Sequence, residues 1–283
     1  MDHAKTSGFY GPHVSADAFD GEVARASAMT ISVAQFQLFV LSATRTLAIL
    51  SGVPVLGSTV VPVRVRLAAG LLITLVIVPL VPAAAAGEPA PAGGFLVLAA
   101  MELLTGLLAG FVVRTTFAAL AVGANLIGTL AGFSAAQFVN PLTNMQGSPL
   151  DQLILLFSTT VFLVINGHHQ LIVAISRLFE LVPLGTFVMG PAVKDGLVRL
   201  TLGMWVSGVQ IALPIVATIL AVDVAMGLLA KTAPQIQVFF LSLPLKIAIG
   251  LLGVTALLPL LLPVLHNMFN DTARHMLELV HAQ

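Results

Sequence analysis

The chain lacks cysteine and carries very little charge. Without cysteine it can form no disulfide, no cysteine-based zinc site and no thiol nucleophile. Only 8% of its 283 residues are charged, against roughly 25% in an average soluble domain. So few charges cannot cover a globular surface in water, and 58% of the residues are hydrophobic. The composition therefore predicts a protein embedded in a membrane and in contact with lipid.

Nucleic-acid binding and catalysis are disfavoured by what is missing. A formal net charge of zero provides no basic patch, so no nucleic-acid partner is expected. The sequence contains no H-E-x-x-H, G-x-S-x-G or G-x-x-x-x-G-K-[ST] motif. His168 and His169 are adjacent and would point about 100° apart on a helix, which does not suit a shared metal ion. We therefore expect no catalytic residue, no metal site and no cofactor.

Six apolar runs approach or exceed the length of a membrane-crossing helix, which is about 20 residues. They cover residues 32–55, 63–82, 94–123, 152–182, 198–230 and 236–265. They predict an all-α integral membrane protein of about six hydrophobic segments, with broken helices, in a membrane domain of residues 29–265. Within it, Gly106-x-x-x-Gly110 and Gly128-x-x-x-Gly132 are small-residue patterns that let helix backbones approach closely.

Turn signals predict where the runs break. The Asn-Gly pair in NGHH (166–169) splits the fourth run into halves of about 15 residues, which indicates a tight helical hairpin. KTAPQ (231–235) separates the fifth and sixth runs and indicates a second fold-back. The residues assigned to these turns, and to the exit from the first hairpin, are Asn166, Gly167, His168, Pro183, Gly185 and Pro234.

The two ends of the chain differ from the membrane domain. Residues 1–28 contain no apolar run of the kind that a signal peptide needs. Their polar composition predicts a disordered tail. Residues 266–283 place apolar side chains at helical spacing between polar ones, which predicts an amphipathic helix that lies at a surface.

Charged residues inside apolar runs are costly unless they are paired or reach water. Arg177 and Glu180 are three residues apart, so on one helix face they would neutralise each other as a buried pair. Asp223 and Lys246 lie at equal distances from a turn centred on Pro234 and Gln235, so antiparallel helices would bring them to one depth, where they approach either within this hairpin or with a neighbouring subunit between them. Separate snorkelling of both side chains to water is the alternative. The other charges in these runs are Arg45, Glu102 and Arg114. Glu102 and Arg114 are about 18 Å apart along a straight helix, too far to pair, so they need other partners.

Four stretches together resemble one family. They are VPVRVRLAAGLLITLVIVP (61–79), FSAAQFVNP (133–141), INGHHQLIVAISRLFELVPLG (165–185) and APQIQVFFLSLPLKIAIG (233–250). Their order and spacing are similar to those of the FliR/SctT family, the export-gate subunits of flagella and type III secretion systems. The resemblance covers roughly residues 30–265, and its most specific part is NGH followed by a leucine-rich helix and a P-L-G exit.

The resemblance implies a non-enzymatic protein of the bacterial inner membrane, in a flagellar basal body or an injectisome base. Members of the family assemble with the subunits FliP/SctR, FliQ/SctS and FlhB/SctU. In that assembly helical hairpins wind into a spiral around a pore for unfolded protein substrates. The resemblance leaves open whether this chain serves a flagellar or a virulence-type system.

The polar loop of residues 133–149 resembles the plug that closes the pore in this family. Neutral polar side chains suit a segment that faces water in a constriction, and methionine adapts to irregular gaps. An ordinary connecting loop is the alternative interpretation. The family usually carries an acid where this chain has Asn140, and another where it has Asn125. The residues assigned to the plug are Phe133, Gln137, Phe138, Asn140, Pro141, Asn144, Met145 and Gln146.

A free-standing secondary transporter is the second hypothesis from the sequence. Its substrate or proton path would use intramembrane charges, and the candidates are Asp223, Lys246, Glu102 and Arg114. The internal repeat that many transporters show is not apparent in this sequence. An intramembrane enzyme is the third hypothesis, and no catalytic constellation supports it.

Overall fold

A computed structural model of the chain describes residues 32–57, 61–81, 89–134, 148–233, 235 and 237–281. The described residues are mostly helical and contain no β-strand. The predicted all-α integral membrane class is confirmed. The main helices are α1 (Val33–Gly52), α2 (Val63–Ile77), α3 (Ala92–Leu130), α4 (Pro149–Val164), α5 (Gly167–Leu181), α6 (Pro191–Thr232) and α7 (Val238–His281). Two short helical turns follow α1 and α2, at Pro54–Gly57 and Val78–Leu80.

Fewer helices than apolar runs are long enough to cross a membrane. Among the described residues there are four: α1, α3, α6 and the part of α7 from Phe240 to Val280. A fifth span results if α4 and α5 count together as one bent span. The second run falls short because α2 has 15 residues, about 22 Å of helix, against a hydrocarbon core of about 30 Å.

α3 lies at the centre of the fold and packs against α1, α4, α6 and α7. Two hydrophobic clusters follow from this position. The larger joins α3 to α1, α4, α5 and the second half of α7, with the rings of Phe117, Phe162 and Phe269 in mutual contact. The smaller joins the end of α3 to the middle of α6 and α7 through Ile127 and Ile215.

The break between α4 and α5 is a bend and not the predicted tight hairpin. Asn166 adopts a left-handed backbone conformation with φ 57°, and the two helices are bent by 69°, far less than a reversal of the chain. α5 packs against α7, where Gln170 Nε2 donates a hydrogen bond of 3.0 Å to Asn270 Oδ1. A tight hairpin would pack α5 along α4, whereas α5 instead packs along α7.

α7 runs unbroken from Val238 to His281 despite three internal prolines. Residues 266–281, predicted as a separate amphipathic helix at a surface, are the second half of α7. The apolar side of this half, which includes Phe269 and Met276, is buried in the larger hydrophobic cluster. The apolar side of the amphipathic helix therefore faces the protein core and not a membrane surface. Residues 1–28 lie outside the described residues, so the disordered tail stays a prediction.

Candidate functional site

A buried ion pair joins the first helix to the central one. Arg45 on α1 donates from Nε to Glu102 Oε2 on α3 at 2.5 Å, and both side chains are 0% exposed. The Arg45 guanidinium also lies 4.7 Å from the centre of the Phe179 ring on α5. Three helices therefore meet at one pair of charges.

The same pair also fixes the backbone that follows α5. Arg45 Nη1 donates to the Val182 carbonyl oxygen at 2.7 Å, and the Gly185 N–H donates to Glu102 Oε1 at 2.7 Å. Gly185 has φ 75°, in the left-handed region that favours glycine. The predicted exit residues Pro183 and Gly185 thus form a turn that is fastened to α1 and α3. Both oxygens of Glu102 are engaged in these contacts.

Asp223 and Lys246 form the second ion pair within the apolar helices. The Lys246 Nζ atom on α7 contacts Asp223 Oδ1 on α6. The pair is partly exposed, with 21% of the lysine side chain and 37% of the aspartate side chain accessible. The structure thus places side by side the two residues that are equally spaced from the pair Pro234 and Gln235; Pro234 itself lies outside the described residues.

Alanine substitutions at this pair are expected to be non-additive. Lys246→Ala or Asp223→Ala alone leaves one charge unpaired in an apolar hairpin, at a cost of about 1–3 kcal/mol. The double variant leaves no such charge, so at least half of the lost membrane level of the chain should return. Immunoblots of isolated membranes measure that level, with Lys231→Ala at the end of α6 as control. A double variant that loses as much as both single variants together would contradict a pair.

Arg177 and Glu180 are not brought together. Both side chains are exposed on α5, and no ion pair between them occurs among the described residues. This corrects the prediction of a buried pair. The reason is that α5 buries its opposite face, with Ile175, Leu178 and Phe179, in the larger cluster.

The polar loop lies largely outside the described residues. Of the residues assigned to the plug only Phe133 is described, and the others, Gln137, Phe138, Asn140, Pro141, Asn144, Met145 and Gln146, fall within 135–147. Phe133 is half-buried, packs against the smaller cluster and donates its N–H to the Gly128 carbonyl at 2.9 Å. The plug assignment therefore stays a prediction.

The end of this loop lies against the last turns of α3. The Ser148 side chain contacts the backbone of α3 so closely that a Cβ at Gly128 would collide with it. Ser148 and Asp151 form a capping box at the start of α4, in which the Ser148 N–H donates to Asp151 Oδ2 at 2.7 Å. Asn125 Nδ2 also donates to Asp151 Oδ2, at 3.5 Å. The start of α4 is thus held against the helix that precedes the loop.

The remaining turn residues belong to the bend between α4 and α5. Asn166 precedes the first residue of α5, and a Cβ on Gly167 would collide with the ring of Phe162. His168 and His169 are both exposed. Among the described residues, no group of three His, Asp or Glu side chains is placed to hold a metal ion.

Sequence reasoning missed the pairing of Arg45 with Glu102. It identified Glu102 as a charge in need of a partner but assigned none, because 57 residues separate it from Arg45. One signal was available. The apolar runs that contain α1 and α3 carry one carboxylate between them, Glu102, so a buried arginine in either run had one candidate counter-charge there.

Comparison with known proteins identifies similar chains over most of this chain's length. The profile of the family described as bacterial export proteins, family 1, matches residues 36–272. The flagellar biosynthetic protein FliR of Escherichia coli K12 is 31% identical over 229 residues, which cover 80% of this chain and 86% of that protein. The FliR protein of Caulobacter vibrioides is 28% identical over 249 residues, which cover 86% of this chain and 96% of that protein. The FliR protein of Bacillus subtilis is 29% identical over 194 residues, or 66% of this chain and 74% of that protein.

Proposed function

Because the chain belongs to the family of bacterial export proteins, family 1, we propose that it is a non-enzymatic subunit of the flagellar export gate. It is a membrane-embedded component of the flagellar export apparatus. In our proposal it supplies part of the wall of a pore in the inner membrane, through which unfolded proteins are exported. The observation that carries this proposal is the family match, which extends from α1 into the last third of α7.

The movable plug of residues 133–149 is the second part of the proposal. The contact between Gly128 and Ser148 supports it, because it holds the start of α4 against the end of α3 independently of the residues between them. The start of α4 is capped by its own side chains, so movement of the loop would not unwind the helix. Because Asn140 stands where the family usually has an acid, closure of the pore by this plug would depend on packing and on hydrogen bonds between neutral groups.

Exposed apolar surface supports assembly with other membrane subunits. In the 18-residue apolar stretch of α6, and likewise in that of α7, only 22% of the residues are buried within the chain. Large side chains such as Trp205, Leu213 and Leu228 are more than half exposed along α6. Such surface must be covered by lipid or by protein. We assign its partners as the subunits FliP/SctR, FliQ/SctS and FlhB/SctU of the same export gate.

The transporter hypothesis has less support from the geometry. A substrate or proton path needs charged groups that are accessible and converge on one site. Glu102 is fully buried, with both oxygens bound to Arg45 and Gly185. Asp223 and Lys246 lie on the separate α6–α7 hairpin and contact each other. Of the four candidate charges, Asp223 and Lys246 are thus paired with each other, and Glu102 is paired with Arg45.

Purification from the native cell distinguishes the two functions. A tagged copy of the chain should restore motility to a strain that lacks its own copy, and should co-purify with other small membrane proteins in a fixed ratio. An isolated, stable chain that moves a small solute into liposomes would contradict the export-gate proposal. Mock purification from untagged cells serves as the control.

Deletion of residues 140–147, which leaves the α4 cap Ser148 in place, is expected to make the assembled gate leak ions. A pore without its plug should raise the ion conductance of membranes that contain the complex at least severalfold, even with no substrate present. Conductance is measured in planar bilayers or by the collapse of the membrane potential in cells. Deletion of residues 83–88, in the low-complexity linker, is the control. Unchanged conductance would leave 133–149 as an ordinary connecting loop.

A further inference from the structure

Arg114 is a charged residue in the interior of an apolar membrane-length helix. It lies on α3, roughly 24 Å from the nearer end of the helix at 1.5 Å per residue. With 39 residues, α3 is about 58 Å long and extends beyond a hydrocarbon core of about 30 Å, and Arg114 lies within its apolar run of residues 94–123. The Arg114 side chain is exposed. A charge at such a position is costly unless it finds a counter-charge or water.

The described part of the chain offers Arg114 no partner. Among the described residues, Arg114 has no hydrogen bond or ion pair. Two other cations inside membrane-length helices have carboxylate partners. Arg45 is paired with Glu102, and Lys246 is paired with Asp223. Arg114 therefore differs from both in having no carboxylate partner among the described residues, and its exposed side chain is accessible to a group from another chain.

The surroundings of Arg114 show what kind of group this is. Residues seven apart on a helix lie on nearly the same face, and Leu107 and Ala121 stand on either side of Arg114 at that spacing. Both are exposed, as is Leu103 one turn beyond Leu107. We call the part of this face around the charge the Arg114 stripe (Leu103, Leu107, Arg114 and Ala121); its residues other than Arg114 are apolar, and the next exposed side chain beyond Ala121 on this face is the polar Asn125. A face of this composition suits an apolar helix better than a water-filled channel.

We propose that the Arg114 stripe is the docking surface for a helix of another membrane subunit, and that a carboxylate on that helix pairs with Arg114. The proposal rests on the proposed function, since it requires an assembled export gate. The partner helix would be apolar on its contact face and carry one Asp or Glu at the level of Arg114. A buried pair of this kind fixes the register of two helices, because sliding by one turn would leave both charges unpaired.

Charge substitutions in the full-length tagged chain test this proposal. The variants are Arg114→Leu, Arg114→Glu and Arg114→Lys, with Arg199→Leu, an exposed arginine on α6, as matched control. The measured quantity is the amount of other membrane subunits recovered per tagged chain from detergent-solubilised cells. Recovery should fall at least tenfold for Arg114→Glu and severalfold for Arg114→Leu. It should stay within twofold of the unsubstituted chain for Arg114→Lys and for Arg199→Leu.

Second-site suppression identifies the partner residue. Motile revertants of the Arg114→Glu strain should carry a change of one acidic residue to lysine or arginine in a helix of another subunit. Loss of folding does not produce this pattern, because a reversed charge in a different chain cannot repair a misfolded one. Membrane levels of the Arg114→Leu chain should also stay within twofold, since no contact of the described fold is removed.

Two results would overturn the inference. If Arg114→Glu recovers the other subunits as the unsubstituted chain does and exports normally, no carboxylate faces Arg114. If Arg114→Glu assembles normally but blocks export, the side chain faces the pore and not a partner helix. In both cases the unsubstituted chain still assembles, so the proposed function stands. Failure of the unsubstituted chain to recover any subunit would contradict the proposed function itself.

Discussion

Glu102→Leu is expected to lower the free energy of unfolding by about 3–5 kcal/mol, because it leaves the Arg45 charge buried without a partner. Both side chains are fully buried, so Arg45 cannot turn to water without opening the contact between α1 and α3. The Gly185 N–H would also lose its acceptor. The chain should therefore fall to a small fraction of its normal level in membranes, with loss of motility.

The double variant Arg45→Met/Glu102→Leu separates charge from packing. It removes both charges and keeps apolar volume at each position, and replacement of a whole buried pair by apolar residues is often neutral or stabilising. Most of the lost membrane level should therefore return, although the Val182 carbonyl and the Gly185 N–H stay without these partners. Thermal unfolding of the purified chain in detergent measures the same difference. Normal stability of Glu102→Leu alone would show that the pair does not hold these helices together.

Gly106→Leu is expected to separate α1 from α3 and to destabilise the chain by about 3 kcal/mol, the upper part of the usual range for overpacking. A Cβ at Gly106 would lie 2.5 Å from the Arg45 carbonyl oxygen and 2.6 Å from the Ala48 Cβ. The carbonyl belongs to helix backbone and cannot move aside, so the helices themselves must shift. Since Glu102 is one turn before Gly106 on the same helix, the shift would also pull the ion pair apart.

A second glycine of α3 provides the matched control. Gly93 is exposed, and no neighbouring atom lies within 4 Å of the place that a Cβ would occupy. Gly93→Leu should therefore leave stability within about 1 kcal/mol or raise it, since glycine is unfavourable inside a helix. Limited proteolysis of isolated membranes measures both variants in parallel. Equal protease resistance of Gly106→Leu and Gly93→Leu would contradict a close contact between α1 and α3.

Several features were readable from local sequence signals. The shortage of charge predicted a membrane protein, the apolar runs predicted helices, and Asn166-Gly167 marked the bend between α4 and α5. The equal spacing of Asp223 and Lys246 from the turn related the two residues that the structure pairs. Each of these signals lies within one helix or one fold-back, where chain geometry alone restricts what can meet.

Other features depend on how distant helices pack. The sequence by itself determined the membrane class, the helical runs and the family resemblance, because composition and periodicity follow from residue type. Only the tertiary structure decided that Arg45 meets Glu102, that α5 leaves α4 at 69°, and that residues 266–281 face the core. Each of these depends on which helix surfaces, distant in the chain, pack against one another. No local pattern contains that information, since an apolar helix face can be covered equally well by several neighbours.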